Sequence, residues 1–159
     1  MSSSSNPPTT GLFAQHRIAY VSANWHRDIV DRARQSAVEH LERHGAMVEC
    51  FEVPGAFEIP LHVKMIAGSG HYDAVIACAL VVNGGIYQHE FVASAVVDGL
   101  MRIQLDSDVP VFSAVLTPRD FHEHDEHRQF FSDHFAKKGK EVADACLATL
   151  ERRREIRRT

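Results

Sequence analysis

The sequence predicts a three-layer α/β/α sandwich around a four-stranded parallel sheet. Two observations carry this. Short apolar runs alternate with segments of helical hydrophobic spacing along almost the whole chain, as successive β-α-β units require. One of those runs, Ala74–Val82 (AVIACALVV), is apolar without interruption, which marks a strand covered on both faces. A length of 159 residues suits a single domain of this kind, and 45% hydrophobic with 24% charged residues is an ordinary globular balance.

Residues 1–12 are rich in Ser, Pro and Thr and are expected to form a loose arm, which leaves 13–159 as one domain. Arg17–Ser22 (RIAYVS) reads as the first strand. Asp28 is placed to cap a helix on which Ile29, Val30, Ala33, Val38 and Leu41 share a face, and Gly45 stops it. Met47–Val53 reads as the second strand, ended by Pro54-Gly55. Ala56–Ala67 returns to helical spacing, with Pro60 near the start, where a helix tolerates it. Ala74–Val82 is the third strand; Asn83-Gly84-Gly85 breaks it, and a helix runs from about Gln88 to Leu105. Pro110–Leu116 is the fourth strand. Two helices are expected after it, one over 121–134 and one from about Lys138 into the arginine-rich tail.

Composition narrows the function classes. The net charge of −4 hides an uneven distribution: the last nine residues hold five arginines against two glutamates, and the rest of the chain stands at −7. An acidic body is a poor nucleic-acid binder, and cations at a helix C-terminus favour the dipole's negative end, so no nucleic-acid partner is expected. No apolar run approaches the roughly 20 residues of a membrane span, and no basic n-region or apolar h-region marks a secretory signal. Cys50, Cys78 and Cys146 are odd in number and embedded in apolar stretches; they are expected to be buried thiols in a reducing, cytoplasmic setting.

In a parallel α/β sheet, ligands bind beyond the carboxyl ends of the strands, so four loops should carry the chemistry. After the first strand, Trp25 is either an anchor in the core or rim, or a stacking platform for a planar heterocycle. After the second, a Pro-Gly turn leaves backbone N–H groups beside Glu58. This carboxylate is either a helix-dipole partner or an acceptor for the hydroxyls of a polyol. After the third, Gly84-Gly85 lets backbone approach a ligand at a helix N-terminus, where an anion is favoured. His89, in the first turn of that helix, can exchange protons near neutral pH. After the fourth come Arg119, His122, His124, His127, Arg128 and His134 among acidic residues. The histidines lack an HExxH pattern, and a wet helix face accounts for them better than a metal site. Arg128 has the guanidinium that suits a phosphate dianion.

The octapeptide VPGAFEIP at 53–60, the strand ending VVNGG, PVFSAVLT at 110–117 and KKGKEVADA at 137–145 together resemble the 6,7-dimethyl-8-ribityllumazine synthase family over about residues 15–150. GGIYQHEFVA and LTPRDFHEH are similar to its divergent second type. The resemblance implies a flavodoxin-like sheet and a transferase of riboflavin biosynthesis. The reaction implied is condensation of 5-amino-6-(D-ribitylamino)uracil with 3,4-dihydroxy-2-butanone 4-phosphate, with no cofactor and no metal. It implies that Trp25 takes the place of a stacking aromatic, and that Ala56, Phe57 and Glu58 meet the ribityl chain and pyrimidine. Leu80, Val81 and Val82 then meet the pyrimidine edge, and Gly85 and Ile86 cradle the phosphate. It further implies a homo-oligomer, a pentamer or a dimer of pentamers, with Ser113 and the phosphate-binding residue supplied by a neighbouring subunit.

Several positions depart from the family pattern. The usual catalytic His aligns with Gln88, while His89 lies one place later, so chemistry assigns the acid/base to His89 and alignment points to Gln88. Ile86 replaces a Thr, Ser113 stands where Phe is common, and the connection from Thr117 to Gly139 is about two residues longer than usual. The phosphate arginine consequently maps onto His127 or Arg128. These departures bear on turnover more than on ligand class. They leave a non-catalytic or regulatory lumazine- and flavin-binding relative as the alternative to an active enzyme.

Overall fold

A computed structural model describes residues 16–82, 89–118 and 125–158, with side chains in the last span from Arg128 onward. The expected arm over 1–12 lies outside the described residues.

Four strands, β1 (Arg17–Ala23), β2 (Met47–Val53), β3 (Ala74–Leu80) and β4 (Val111–Leu116), form one parallel sheet in the order β2-β1-β3-β4. Alternation along β1 splits the core into two layers. Ile18 and Tyr20 face the side covered by α1 (Arg27–Arg43) and α4 (Asp125–Arg158). Ala19 and Val21 face the side covered by α2 (Ile59–Gly68) and α3 (His89–Ser107). β3 is buried at every position, as its continuous apolar run predicts. The α/β/α sandwich and the four-stranded parallel sheet are as the sequence indicates.

Local chemistry explains most boundaries. Gly45 adopts φ 96° just past α1, the left-handed stop that glycine supplies without strain. Pro60 falls in the first turn of α2, where its missing N–H has no intrahelical partner to lose. Ala56–Glu58 winds as a 3₁₀ turn before α2 begins, so the expected helix from Ala56 divides in two.

Four sequence expectations need correction. Asp28 does not cap α1: His26 holds the N-cap position at φ 54°, and the Asp28 carboxylate, in the first turn, pairs instead with Arg128. A charge-assisted pair to guanidinium is the stronger contact. Cys50 is exposed, because β2 is an edge strand that presents Met47, Glu49, Cys50 and Glu52 to solvent; Cys78 and Cys146 are buried as expected. β3 ends at Leu80, so Val81 and Val82 lie beyond the strand, although the Val81 N–H still donates to the Leu116 carbonyl at 2.8 Å.

The fourth correction concerns the two C-terminal helices, which are one: α4 runs unbroken for 34 residues. Phe131, Phe135, Val142, Cys146 and Leu150 make a single apolar stripe through the expected break. Gly139 sits inside it as a contact point. A Cβ there would lie 2.2 Å from the Ala33 carbonyl oxygen, so the missing side chain lets the backbones of α1 and α4 touch.

Candidate active site

The strand ends of β1, β2 and β3, with the first turn of α3, enclose a cleft of about 300 Å³. β1 contributes Ala23 and, past its end, Trp25. The loop between them and α1 is pinned to β2: the Asn24 N–H donates to the carbonyls of Val53 at 2.9 Å and Pro54 at 3.3 Å. Trp25 is 71% exposed, which removes it from the core. An indole left in solvent at a cleft mouth offers a flat face to a planar ligand.

β2 contributes Gly55, Ala56, Phe57 and Glu58. The Gly55 N–H donates to Glu58 Oε1 at 2.8 Å, which folds the carboxylate back over its own turn. A Cβ at residue 55 would sit 3.1 Å from that oxygen, so glycine gives the carboxylate room. Glu58 therefore does act as a local cap, and this contact also fixes the acid at the cleft wall. Phe57, 70% exposed, stands with Trp25 as a second large aromatic ring at the cleft.

Leu80, the last residue of β3, and Val81 and Val82 beyond it form the floor, and α3 adds His89 and Val92. The His89 side chain is only 10% exposed; its Nδ1 lies 3.5 Å from Glu90 Oε1 and makes no hydrogen bond to the described residues. A buried imidazole nitrogen without a hydrogen-bond partner at a ligand-sized cleft is a group still able to take or give a proton. The buried thiols lie elsewhere: burial pushes Cys78 and Cys146 up to about 12, so neither supplies a thiolate near neutrality.

Trp25, Ala56, Phe57, Glu58, Leu80, Val81, Val82 and His89 are thus brought together in one cavity. Gly85, Ile86 and Gln88 lie outside the described residues, as do His122, His124 and the His127 side chain. Ser113 and Arg128 are described and do not line the cleft. Ser113 is exposed on the edge strand β4, beside Lys138 and Glu141. Arg128 donates through Nη2 to both Asp28 oxygens at 2.5 Å, and its guanidinium holds the Asp28 carboxyl below the usual carboxylate range. The sequence reading omitted Ala23, Gly55 and Val92 from the cleft. Gly55 was the most accessible of these, since it lies within the octapeptide that carries Glu58. Among the described residues, no three His, Cys, Asp or Glu side chains converge to hold a metal ion. No described helix is long and apolar enough to cross a membrane.

The family model for 6,7-dimethyl-8-ribityllumazine synthase matches residues 15–154. A 6,7-dimethyl-8-ribityllumazine synthase of Rhodococcus erythropolis is 59% identical over 138 residues, 85% of this chain and 89% of that protein. A 6,7-dimethyl-8-ribityllumazine synthase 2 of Pseudomonas syringae pv. tomato is 51% identical, covering 89% of this chain and 85% of that one. Another synthase 2, from Bradyrhizobium diazoefficiens, is 56% identical and covers 84% and 82%. The match runs through every strand end that builds the cleft, and the chain belongs to the 6,7-dimethyl-8-ribityllumazine synthase family.

Proposed function

We propose that this chain condenses 5-amino-6-(D-ribitylamino)uracil with 3,4-dihydroxy-2-butanone 4-phosphate to 6,7-dimethyl-8-ribityllumazine, the penultimate step of riboflavin biosynthesis. The observation that carries the reading is the cleft itself, which gathers an exposed indole, a fixed carboxylate, an apolar floor and a buried imidazole. Trp25 stacks on the pyrimidine, Ala56, Phe57 and Glu58 hold the ribityl chain, and Leu80 to Val82 meet the pyrimidine edge. Gly85 and Ile86 give backbone N–H groups to the phosphate, and Arg128 supplies the counter-charge, with His127 as the neighbouring candidate.

The chemistry needs no enzyme nucleophile and, in this reading, no cofactor. The substrate amine attacks the ketone and loses water to form an imine; inorganic phosphate then leaves, and the ring closes with loss of a second water. Holding two small molecules together supplies most of the acceleration. His89 moves the protons that these steps release and consume, with Gln88 as a hydrogen-bonding partner.

Two features support a shared site in a ring of subunits. Ser113 and Arg128 do not reach the cleft of their own chain, so a neighbour's copies would complete it. Leu61 and Met65 on α2, and Val97, Met101 and Leu105 on α3, form an exposed apolar face suited to burial against a second copy. A closed cyclic pentamer, alone or paired, buries such a face without open-ended growth. The longer Thr117–Gly139 connection disfavours a sixty-subunit shell. A cytoplasmic location accords with the buried, unpaired Cys78 and Cys146.

Relatives named as synthases favour the enzyme over a non-catalytic lumazine or flavin binder. The deciding experiment mixes the purified protein with both substrates and follows lumazine absorbance. A rate equal to the uncatalysed background overturns the proposal.

A further inference from the structure

We propose that His26 is a positioning residue: its left-handed backbone turns the chain so that the Trp25 ring is presented to the pyrimidine at the cleft mouth. This rests on the reading of Trp25 as the stacking group and adds a residue that the reading does not contain.

Three observations carry it. His26 holds the N-cap position of α1 at φ 54° and ψ 44°, a left-handed conformation uncommon for any residue but glycine. An ordinary N-cap residue is extended and offers a side-chain oxygen to the free N–H groups of the first turn. His26 is not extended and makes no such side-chain bond, so starting the helix does not account for its conformation. The backbone on both sides of Trp25 is committed as well. The Asn24 N–H is bonded to the Val53 and Pro54 carbonyls at 2.9 and 3.3 Å, and the His26 carbonyl accepts the N–H groups of Ile29 and Val30, each at 3.0 Å. Arg27 ties the same segment to β2, its Nη2 donating to Glu52 Oε2 at 2.6 Å. The chain must therefore pass from the end of β1 into α1 within Trp25 and His26, and the left-handed turn falls on His26. Finally, the Trp25 side chain between these anchors is 71% exposed and lines the cleft with Phe57 and Glu58. Core packing does not hold so exposed a ring; the backbone beneath it sets its direction. Sparsely populated conformations persist where the surroundings over-determine them, and they gather at sites that hold a side chain ready before the ligand arrives.

A left-handed residue that only starts α1, and an imidazole that itself touches the ligand, give different results from a positioning residue. The test uses the full-length protein with 6,7-dimethyl-8-ribityllumazine as the probe. Trp25 is the sole tryptophan, so its fluorescence reports the ring directly. In the wild type, saturating lumazine is expected to quench that fluorescence through stacking. His26→Val carries a branched side chain that resists the left-handed region. It should raise the lumazine Kd and the KM for ribitylaminouracil by about fivefold or more, and reduce the quenching at saturation. The KM for the ketose phosphate should stay within about twofold. His26→Asn and His26→Gly, which accept the left-handed conformation, should keep the lumazine Kd within about twofold of the wild type. His26→Ala should bind more weakly than His26→Asn, and this comparison decides the matter if His26→Val does not fold.

A His26→Val protein that melts below the wild type yet keeps its Kd and quenching has lost only a helix start, and overturns the proposal. Asn and Gly variants as weak as His26→Val assign the loss to the missing imidazole and overturn it too. So does a His26→Ala protein that binds as tightly as His26→Asn. Weak binding in Trp25→Ala beside unchanged binding in His26→Val refutes His26 alone. An unchanged Kd in Trp25→Ala, with no quenching in the wild type, refutes the stacking reading, and the role of His26 falls with it.

Discussion

Trp25 leaves 71% of its surface in solvent at the rim of a cleft, so its removal tests binding separately from folding. Trp25→Ala should weaken binding of a ribityl-lumazine analogue by roughly 1–3 kcal/mol, as loss of base–aromatic stacking does, while the melting temperature stays at the wild-type value. Unchanged affinity in calorimetry would remove the stacking role. His89 is tested through rate. His89→Ala should lower kcat by roughly tenfold or more and flatten the pH profile of kcat; Gln88→Ala should mainly raise KM. A His89→Ala enzyme with the wild-type rate and profile would show that holding the substrates together is sufficient. The positions of Trp25 and His89 at the cleft were legible in the sequence because each follows a recognisable strand end, and loops at strand ends carry ligands in this architecture. The partner of Arg128 was not legible. An aspartate in the first turn of a helix looks like a cap, and nothing local announces a contact 100 residues away.

At the scale of elements, the α1–α4 contact turns on Gly139. A Cβ there would sit 2.2 Å from the Ala33 oxygen and 2.9 Å from its carbonyl carbon, both backbone atoms that a rotamer change cannot move. Gly139→Ala should therefore destabilise the protein by about 1–3 kcal/mol, the usual cost of overpacking, although alanine favours a helix. Urea unfolding measures it, and a midpoint at or above the wild type would mean that the two helices part without loss. The strands were read to within a residue or two because short, largely apolar or β-prone runs followed by Gly, Pro or Asn turns have few alternatives. The unity of α4 was missed because the His- and acid-rich stretch ending at His134 and the basic segment from Lys138 differ in composition and read as two helices, whereas the buried stripe from Phe131 to Leu150 decides the matter only once its partners on α1 and the sheet are known. Cys50 was misread for a related reason, since an apolar neighbourhood in sequence does not tell an edge strand from a central one.

At the scale of the whole molecule, the exposed face of α2 and α3 leads to an expectation about size. Replacing Met101 and Leu105 together by Glu should shift the proposed pentamer or decamer toward smaller species in light scattering, and lumazine formation should fall with it. Charges placed in a buried interface lack partners there. A wild-type particle that scatters as a monomer would refute the ring directly. The strand order β2-β1-β3-β4 also has a consequence in time. β1, made first, ends in the middle of the sheet, so one of its edges has no partner until β3 has been synthesised. α4, made after all four strands, shares with α1 the cover over Tyr20, Cys78 and their neighbours. A growing chain therefore carries half-covered apolar strands until long after they are made, and the sheet can seal on that side only after the 34-residue helix α4 has been released.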